Sequence, residues 1–167
     1  MGVRSMNTLD TVNSRVAAFS DWAPTVLRLG AGIVFLVYGT GKIFGVGPQG
    51  VGIEGFTGFL SMLGVPAPGV FAWVVAFVEF VGGLALLVGA FTRVFAGLIA
   101  VDMVFAILLW HLPKGWDYQS GGFEYPLVLL FVTVTLVLAG PGRLSLDHLV
   151  LDTEPTPVPA SASGYEG

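Results

Sequence analysis

The chain contains no cysteine and only two histidines among its 167 residues. The absence of cysteine excludes disulfides, thiol redox chemistry, iron–sulfur clusters and cysteine-ligated zinc. The two histidines, His111 and His148, stand at opposite ends of the last third of the sequence, which argues against a haem held by both. The chain therefore has no redox group of its own, and any electron transfer needs a bound molecule or a partner protein.

Charged residues are also scarce, at 11% of the sequence, against about 25% in soluble domains. Hydrophobic residues make up 54%, and the mean hydropathy is +0.84. This composition is typical of an integral membrane protein whose partner is the lipid bilayer, and the length indicates one domain. The net charge of −4 comes largely from the terminal segments, so it indicates no nucleic-acid partner.

Four apolar stretches predict helices that cross the membrane, since a crossing takes about 20 helical residues. The fold class is therefore all-α, an integral membrane four-helix transmembrane bundle. The four-helix domain covers 23–147, between a polar N-terminal segment at 1–22 and a disordered acidic tail at 148–167. The helices are predicted at about 24–44, 68–91, 93–112 and 123–139.

The long loop between the first two helices contains a short amphipathic pattern, Glu54–Leu63. A helix there would lie on the membrane surface. Two interpretations stay open, a lid over the bundle and a plain connector. The apolar side would consist of Phe56, Phe59, Leu60 and Leu63.

Helical spacing sorts the residues of each span into faces. Glycines on a shared face predict close helix contacts, as is common in membranes. The first span places Arg28, Gly32, Phe35, Gly39 and Lys42 on one face. The second places Ala72, Ala76, Glu79 and Gly83 together, and the fourth Glu124, Val128, Phe131, Thr135 and Leu138.

Ionisable residues within the spans are candidates for a site, because such groups face the bundle interior and find partners. Glu79 and Asp102 lie at similar depth on adjacent, antiparallel helices. Arg28 is nearer one end of the first helix, but its side chain is long. We predict an Arg28–Glu79 or an Arg28–Asp102 ion pair.

A second polar group is predicted nearer the other mouth of the bundle. It consists of Lys42, Glu124 and Tyr38, and it could receive the polar head of a small ligand. Together with the buried charges these residues form either a functional site or a set of structural locks that hold the helices in register. A functional site could be a quinone headgroup pocket, a proton path or a substrate pocket.

Other chemistry finds little support in the sequence. No metal site is predicted, because Glu79, Asp102 and Glu124 have none of the spacings typical of metal ligands. A phosphate-binding loop, a dinucleotide fingerprint and a nucleophile motif are all absent. No catalytic residue is therefore assigned, and catalysis by this chain alone is not indicated.

Several short motifs follow one another in the order found in DoxX family proteins, which the chain resembles over about Thr25–Asp147. One departure is Tyr38, where the family often has histidine, so the resemblance carries no proton-transfer role to this position. The matching residues are Arg28, Tyr38-Gly39-Thr40-Gly41-Lys42, the loop end Leu63–Pro68, Glu79 with Gly82-Gly83, the turn Gly89–Arg93, and Gly140-Pro141-Gly142-Arg143-Leu144-Ser145-Leu146-Asp147.

The resemblance implies a membrane component of a respiratory or redox-stress oxidoreductase system. Such a protein would bind a quinone-like or small apolar ligand without a covalent cofactor, beside a soluble or membrane oxidoreductase partner, and it could form a homo-oligomer. One alternative is a non-catalytic assembly or docking subunit. Another is a small-solute or proton transporter, against which the sequence shows no inverted repeat.

Arginine and lysine counts near the spans predict the orientation, because cytoplasmic loops are enriched in both. The side that holds both termini carries four arginines, whereas the other side carries Lys42 and Lys114. We therefore expect a multi-pass protein of the inner (plasma) membrane with cytoplasmic N- and C-termini. The four arginines are Arg4, Arg15, Arg93 and Arg143.

Overall fold

Helices dominate the computed structural model, which describes residues 17, 19–48 and 50–151. No strand occurs in those residues, and the predicted all-α class is confirmed. A π-helical turn, Ile107–His111, and a 3-10 turn, Leu112–Lys114, continue the fourth helix. In chain order the α-helices are α1 (Ala23–Phe44), α2 (Gly52–Met62), α3 (Pro68–Val88), α4 (Thr92–Ala106), α5 (Glu124–Ala139) and α6 (Leu146–Leu151).

Three helical stretches are long and apolar enough to cross a bilayer, namely Ser20–Phe44, Pro68–Val88 and Thr92–Lys114. Helix α5 is also apolar but has only 16 residues. At about 1.5 Å per residue it is some 24 Å long, so its flanking segments must complete a crossing of about 30 Å. The chain is thus a helical membrane protein with three to four spanning helices.

Close packing of α1 against α3 depends on glycine. A Cβ atom on Gly39 would lie 2.6 Å from the Cα atom of Phe80, and one on Gly83 would lie 2.8 Å from the Cα atom of Leu36. The face of α1 predicted to be buried is buried, with Phe35 fully enclosed. The two helices therefore meet backbone to backbone, which decides the depth at which their polar side chains face each other.

Helix α2 is the short amphipathic helix predicted in the long loop. It begins two residues before the predicted Glu54 and ends at Met62. Its buried residues Phe56 and Leu60 pack against Ala72 of α3. Helix α2 also contacts α1, so it covers the bundle at the end that carries both longer loops. We call this the long-loop end, and the opposite one the termini end.

The turn between α3 and α4 differs from the prediction. Helix α3 ends at Val88, three residues early, because Gly89 adopts a left-handed conformation with φ of 72°, typical of a helix C-terminus. The next helix begins at Thr92, where the Asp147 carboxylate accepts the N–H groups of Phe91 and Thr92 at 2.6 and 2.8 Å. A distant carboxylate thus caps α4.

Helix α6 overlaps the predicted disordered tail. It runs from Leu146 to Leu151, so residues 148–151 are helical. The hydroxyl of Ser145 accepts the N–H of His148 at 3.2 Å and caps this short helix. The rest of the predicted tail, 152–167, and almost all of the predicted polar segment 1–22 lie outside the described residues, apart from residue 17 and the turn at 19–22.

Candidate functional site

The central feature of the bundle is an ion pair between Lys42 of α1 and Glu79 of α3. The Lys42 ammonium donates to Oε2 of Glu79, and Glu79 is only 2% exposed. Close contact at Gly39 brings the last turn of α1 beside the middle of α3. Lys42 therefore reaches the level of Glu79 rather than the mouth of the bundle.

Asp102 of α4 completes this group, which we call the charged cluster (Lys42, Glu79 and Asp102). Its carboxyl group is close enough to the Glu79 carboxyl group and to the Lys42 ammonium to interact with both. Its Oδ2 atom is buried and has no hydrogen-bond partner among the described residues. One ammonium faces two carboxyl groups, so the cluster has zero formal charge only when it also holds one proton.

Aromatic rings enclose the charged cluster on its long-loop side. The Lys42 ammonium lies 4.8 Å from the ring centre of Phe56 in α2 and 5.8 Å from that of Tyr38. Phe59 of α2 packs edge-on against Trp110, with ring centres 4.7 Å apart. Helix α2 thus separates the charges from the long-loop surface with π faces, which attract a cation.

An open groove of about 620 Å³ follows a neighbouring face of α2. Thr57 and Ile53 line it from α2, and Val70 and Trp73 line it from α3. Glu54 is the one acidic residue in a lining that is otherwise mostly apolar. A single short helix therefore forms the cover of the charged cluster and one wall of a surface groove.

Arg28 does not contact Glu79 or Asp102, so both predicted ion pairs are wrong. The Arg28 side chain, 1% exposed, turns to the termini end and donates to four backbone carbonyls. Two of these belong to the last turn of α3, where a cation is favoured. Lys42 takes the place predicted for Arg28. The acceptors are Leu86 O, Leu87 O at 2.9 Å, Pro141 O at 3.2 Å and Leu144 O at 2.9 Å.

Asp147 is the carboxylate that interacts with Arg28. It also caps α4, so one pair of opposite charges ties α1, α3, α4 and the 141–147 segment together. The hydroxyl of Thr25 adds a bond of 2.6 Å to the carbonyl oxygen of Arg143. At the termini end, Arg28, Asp147 and Thr25 thus hold these helices and the 141–147 segment together.

Glu124 does not join Lys42, so its predicted place in the second polar group is wrong. Its Oε1 atom accepts the N–H of Tyr118 at 2.9 Å in the neighbouring loop. The reason is the face on which it lies, because Val128, Phe131 and Leu138 on that face are exposed. The side of α5 that faces the bundle carries Leu129, Thr133 and Leu136 instead.

Tyr38 does lie beside Lys42, and the structure adds a neighbour that the sequence analysis missed. The side chains of Tyr38 and Tyr125 lie close enough to interact with each other. Tyr125 follows Glu124 directly and points to the inside where Glu124 points outward. Its position beside Pro126 places Tyr125 in the first turn of a helix, which the sequence could have indicated. Only the packing of the helices places it opposite Tyr38.

The charged cluster and its surroundings offer few ligands for a metal ion. Among the residues that the structure describes, no three His, Asp or Glu side chains form a group able to bind one. The charged cluster offers two carboxyl groups beside an ammonium, which repels a cation. Its donor set suits a neutral or polar organic group that both donates and accepts hydrogen bonds.

The fold and the charged cluster define a small polytopic helical membrane protein with a buried ion pair and an amphipathic cover. The chain belongs to the DoxX family, whose sequence model matches residues 23–112. That match contains all three residues of the charged cluster, together with α2. The predicted resemblance is confirmed.

Relatives of similar size cover most of the chain. It is 31% identical to a Bacillus subtilis protein named "Putative oxidoreductase CatD" over 75% of its own length and 84% of the relative. It is 35% identical to the uncharacterized membrane protein Rv3486 of Mycobacterium tuberculosis (77% and 83%). Inner membrane protein YqjF of Escherichia coli is 31% identical (78% and 93%). No solved structure matches the chain.

Proposed function

We propose that the protein is the membrane component of an oxidoreductase system and that the charged cluster holds the polar head of a quinone-like molecule. The observation that carries the proposal is the buried Oδ2 atom of Asp102, which lacks a partner beside the Lys42–Glu79 ion pair. Burying a polar atom without a hydrogen bond is costly. A ligand that supplies the bond would remove that cost.

The donor set of the charged cluster fits both redox forms of a quinone. Lys42 is a donor for a carbonyl oxygen, and a carboxylate oxygen of Asp102 is an acceptor for a hydroxyl group. A quinone supplies two-electron, two-proton chemistry, which the side chains of this cysteine-free chain lack. The role of the protein is then to bind and orient the head, and to hold a proton at Glu79 or Asp102.

The path to the charged cluster lies along α2 in this proposal. The groove beside Thr57 and Trp73 follows one face of α2, and a neighbouring face of α2 places Phe56 over Lys42. An apolar tail fits the groove, and displacement of α2 would admit the head. The name of the Bacillus relative, which includes the word oxidoreductase, supports the redox class.

Mass spectrometry of the gently extracted protein tests this proposal, with bound quinones, lipids and proteins recorded together. We expect quinone with the wild type and its loss in Asp102→Asn and Lys42→Met. Glu124→Gln is the matched control, because it removes a carboxylate outside the charged cluster, and it should retain quinone. A wild type that takes up no quinone when ubiquinone or menaquinone is added would overturn the proposal.

The alternative hypothesis is a docking subunit, and the same experiment distinguishes it from a quinone-binding protein. The docking hypothesis predicts a co-purifying enzyme and no bound quinone. It also predicts that Asp102→Asn and Lys42→Met bind the enzyme like the wild type. The charged cluster would then be a structural lock. A homo-oligomer would appear in the same spectra as a multiple of the chain mass.

We also propose that the protein lies in the inner membrane with both termini cytoplasmic. The arginine-rich termini end and the name of the Escherichia coli relative support this orientation. Because the natural chain has no cysteine, single-cysteine variants have no background. Ser120→Cys in the long-loop end should react with a membrane-impermeant maleimide in intact cells, and Ser20→Cys should not. The opposite result would reverse the orientation.

A further inference from the structure

Two large apolar side chains at the termini end stand on unusual backbone. Phe91 and Leu144 both adopt the left-handed conformation, with φ of 49° and 55°. Residues other than glycine rarely take this conformation, and it persists only where surrounding contacts enforce it. Both side chains are exposed, by 66% and 73%. The fold thus keeps a strained backbone at two places where it presents an apolar side chain outside the bundle.

Hydrogen bonds from other parts of the chain enforce both positions. The Asp147 carboxylate accepts the N–H of Phe91 at 2.6 Å, and the N–H of Asp147 donates to Gly89 O at 2.8 Å. Arg28 donates to Leu144 O at 2.9 Å. Because these bonds hold the backbone of each residue, the exposed positions of Phe91 and Leu144 are built into the fold.

Further apolar side chains surround Leu144. Leu146 and Leu149, three residues apart on one side of α6, are also exposed. A hollow of about 390 Å³ is lined by Leu144, Ser145, His148 and Leu149. We call Phe91, Leu144, Leu146 and Leu149 the apolar rim.

Two exposed arginines adjoin the apolar rim in the chain. The Arg143 guanidinium lies 5.9 Å from the ring centre of Trp22, just before α1. Arg93 donates one bond, to Val137 O in the last turn of α5. Among the residues that the structure describes, neither arginine forms an ion pair. Most of their N–H groups therefore stay available to an anion outside the protein.

We propose that the apolar rim is a binding surface for anionic phospholipid, with Arg93 and Arg143 on the phosphate groups. The rim stands at the ends of helices that cross the membrane, where tryptophan and arginine meet lipid headgroups. Arginine binds phosphate through paired N–H donors. Charge favours an anionic lipid, because Asp147 faces Arg28 and Asp21 is the one further carboxylate at this end within the described residues.

The surface goes beyond the proposed function and needs no ligand at the charged cluster. Spin labels measure where it lies, because the natural chain has no cysteine and each single-cysteine variant carries one label. In nanodiscs that contain phosphatidylglycerol, labels on Phe91→Cys and Leu144→Cys should collide more with oxygen, which concentrates in lipid, than with a water-soluble nickel complex. Phe105→Cys on the exposed face of α4 is the lipid control, and Ser120→Cys is the water control. Rim labels as open to nickel as the Ser120→Cys label would overturn the proposal.

Native mass spectrometry tests the arginines without a label. In nanodiscs of phosphatidylglycerol and phosphatidylcholine, Arg93→Gln and Arg143→Gln should each retain phosphatidylglycerol about fivefold less strongly than the wild type. Lys114→Gln is the matched control, because it removes a positive charge at the long-loop end, and it should bind like the wild type. Unchanged retention in the arginine variants, or an equal loss in Lys114→Gln, would overturn the proposal. Rim labels shielded from both probes in native membranes, yet open to nickel in nanodiscs, would show a protein partner in place of lipid.

Discussion

Replacement of Arg28 is the sharpest test of how the bundle is held together. Arg28→Met keeps an unbranched apolar stem and removes the guanidinium. The carbonyl groups of Leu86 and Leu87 belong to the last turn of α3, where no N–H group of the same helix remains for them. Arg28 satisfies both, and it also bonds the 141–144 segment.

The size of the effect follows from these bonds. A hydrogen bond to a charged group contributes about 1.5–3 kcal/mol, and bonds that share one donor group are not additive. Arg28 is also the partner of Asp147, and removal of one partner of a buried ion pair costs about 3–5 kcal/mol. We expect Arg28→Met to lower the free energy of unfolding by that amount, which is a large part of the roughly 5–15 kcal/mol of a typical domain.

Unfolding by sodium dodecyl sulfate in mixed micelles, followed by the fluorescence of the four tryptophans, measures the change. Arg28→Lys should recover about half of the loss, because a lysine ammonium keeps the charge but lacks the planar fork. Arg93→Met is the matched control. Arg93 makes one exposed bond of 3.1 Å to Val137 O, so its loss should stay within about 1 kcal/mol.

Two results would refute this reasoning. One is an Arg28→Met protein within about 1 kcal/mol of the wild type. The other is a double-mutant cycle in which Arg28 and Glu79 couple by more than about 1 kcal/mol, because the structure gives these residues no contact. If Arg28→Met gives no folded protein, Arg28→Lys still separates the outcomes, since it must lie between Arg93→Met and complete loss.

Three further predictions concern packing, capping and the ion pair. Gly39→Ala should lower the free energy of unfolding by about 1–3 kcal/mol, because its Cβ meets the backbone of α3. Gly30→Ala is the control and should melt like the wild type, since Gly30 has open space around it. Equal melting temperatures for the two variants would contradict the close contact. Asp147→Ala should lose about 1–2 kcal/mol with its cap, and amide hydrogen exchange at the start of α4 should rise; unchanged exchange would count against the cap. Lys42→Met should lower the free energy of unfolding by about 3–5 kcal/mol, because it leaves the Glu79 charge unpaired. The double variant Lys42→Met with Glu79→Gln should recover part of that loss in the same micelle titration. If the losses of the two single variants simply add in the double variant, the ion pair is contradicted.

The helices were predictable because their signal is local. Long apolar stretches and Pro68 at a helix start act within a few residues, and the structure has a helix at each predicted stretch. The amphipathic pattern of α2 is equally local. The buried faces of α1 and α3 followed from helical spacing, since Gly39 and Gly83 leave room for a neighbour.

The pairing of the charges was not predictable in the same way. Arg28 and Lys42 lie on the same buried face of α1, and sequence spacing alone makes either a partner for Glu79. The offset between α1 and α3 decides the matter, and that offset depends on which glycine meets which backbone. Glu124 shows the same limit, because its face was recognised but not the rotation of α5 that exposes the rest of that face, including Val128 and Phe131.

The sequence by itself thus determined the membrane class, the helices, the family and the list of buried ionisable residues, because each depends on composition or on neighbours along the chain. Only the tertiary structure decided that Lys42 pairs with Glu79, that Arg28 and Asp147 clamp the termini end, and that Tyr125 stands opposite Tyr38. Those contacts join residues far apart in the chain. Their partners are set by the depth and rotation at which whole helices pack.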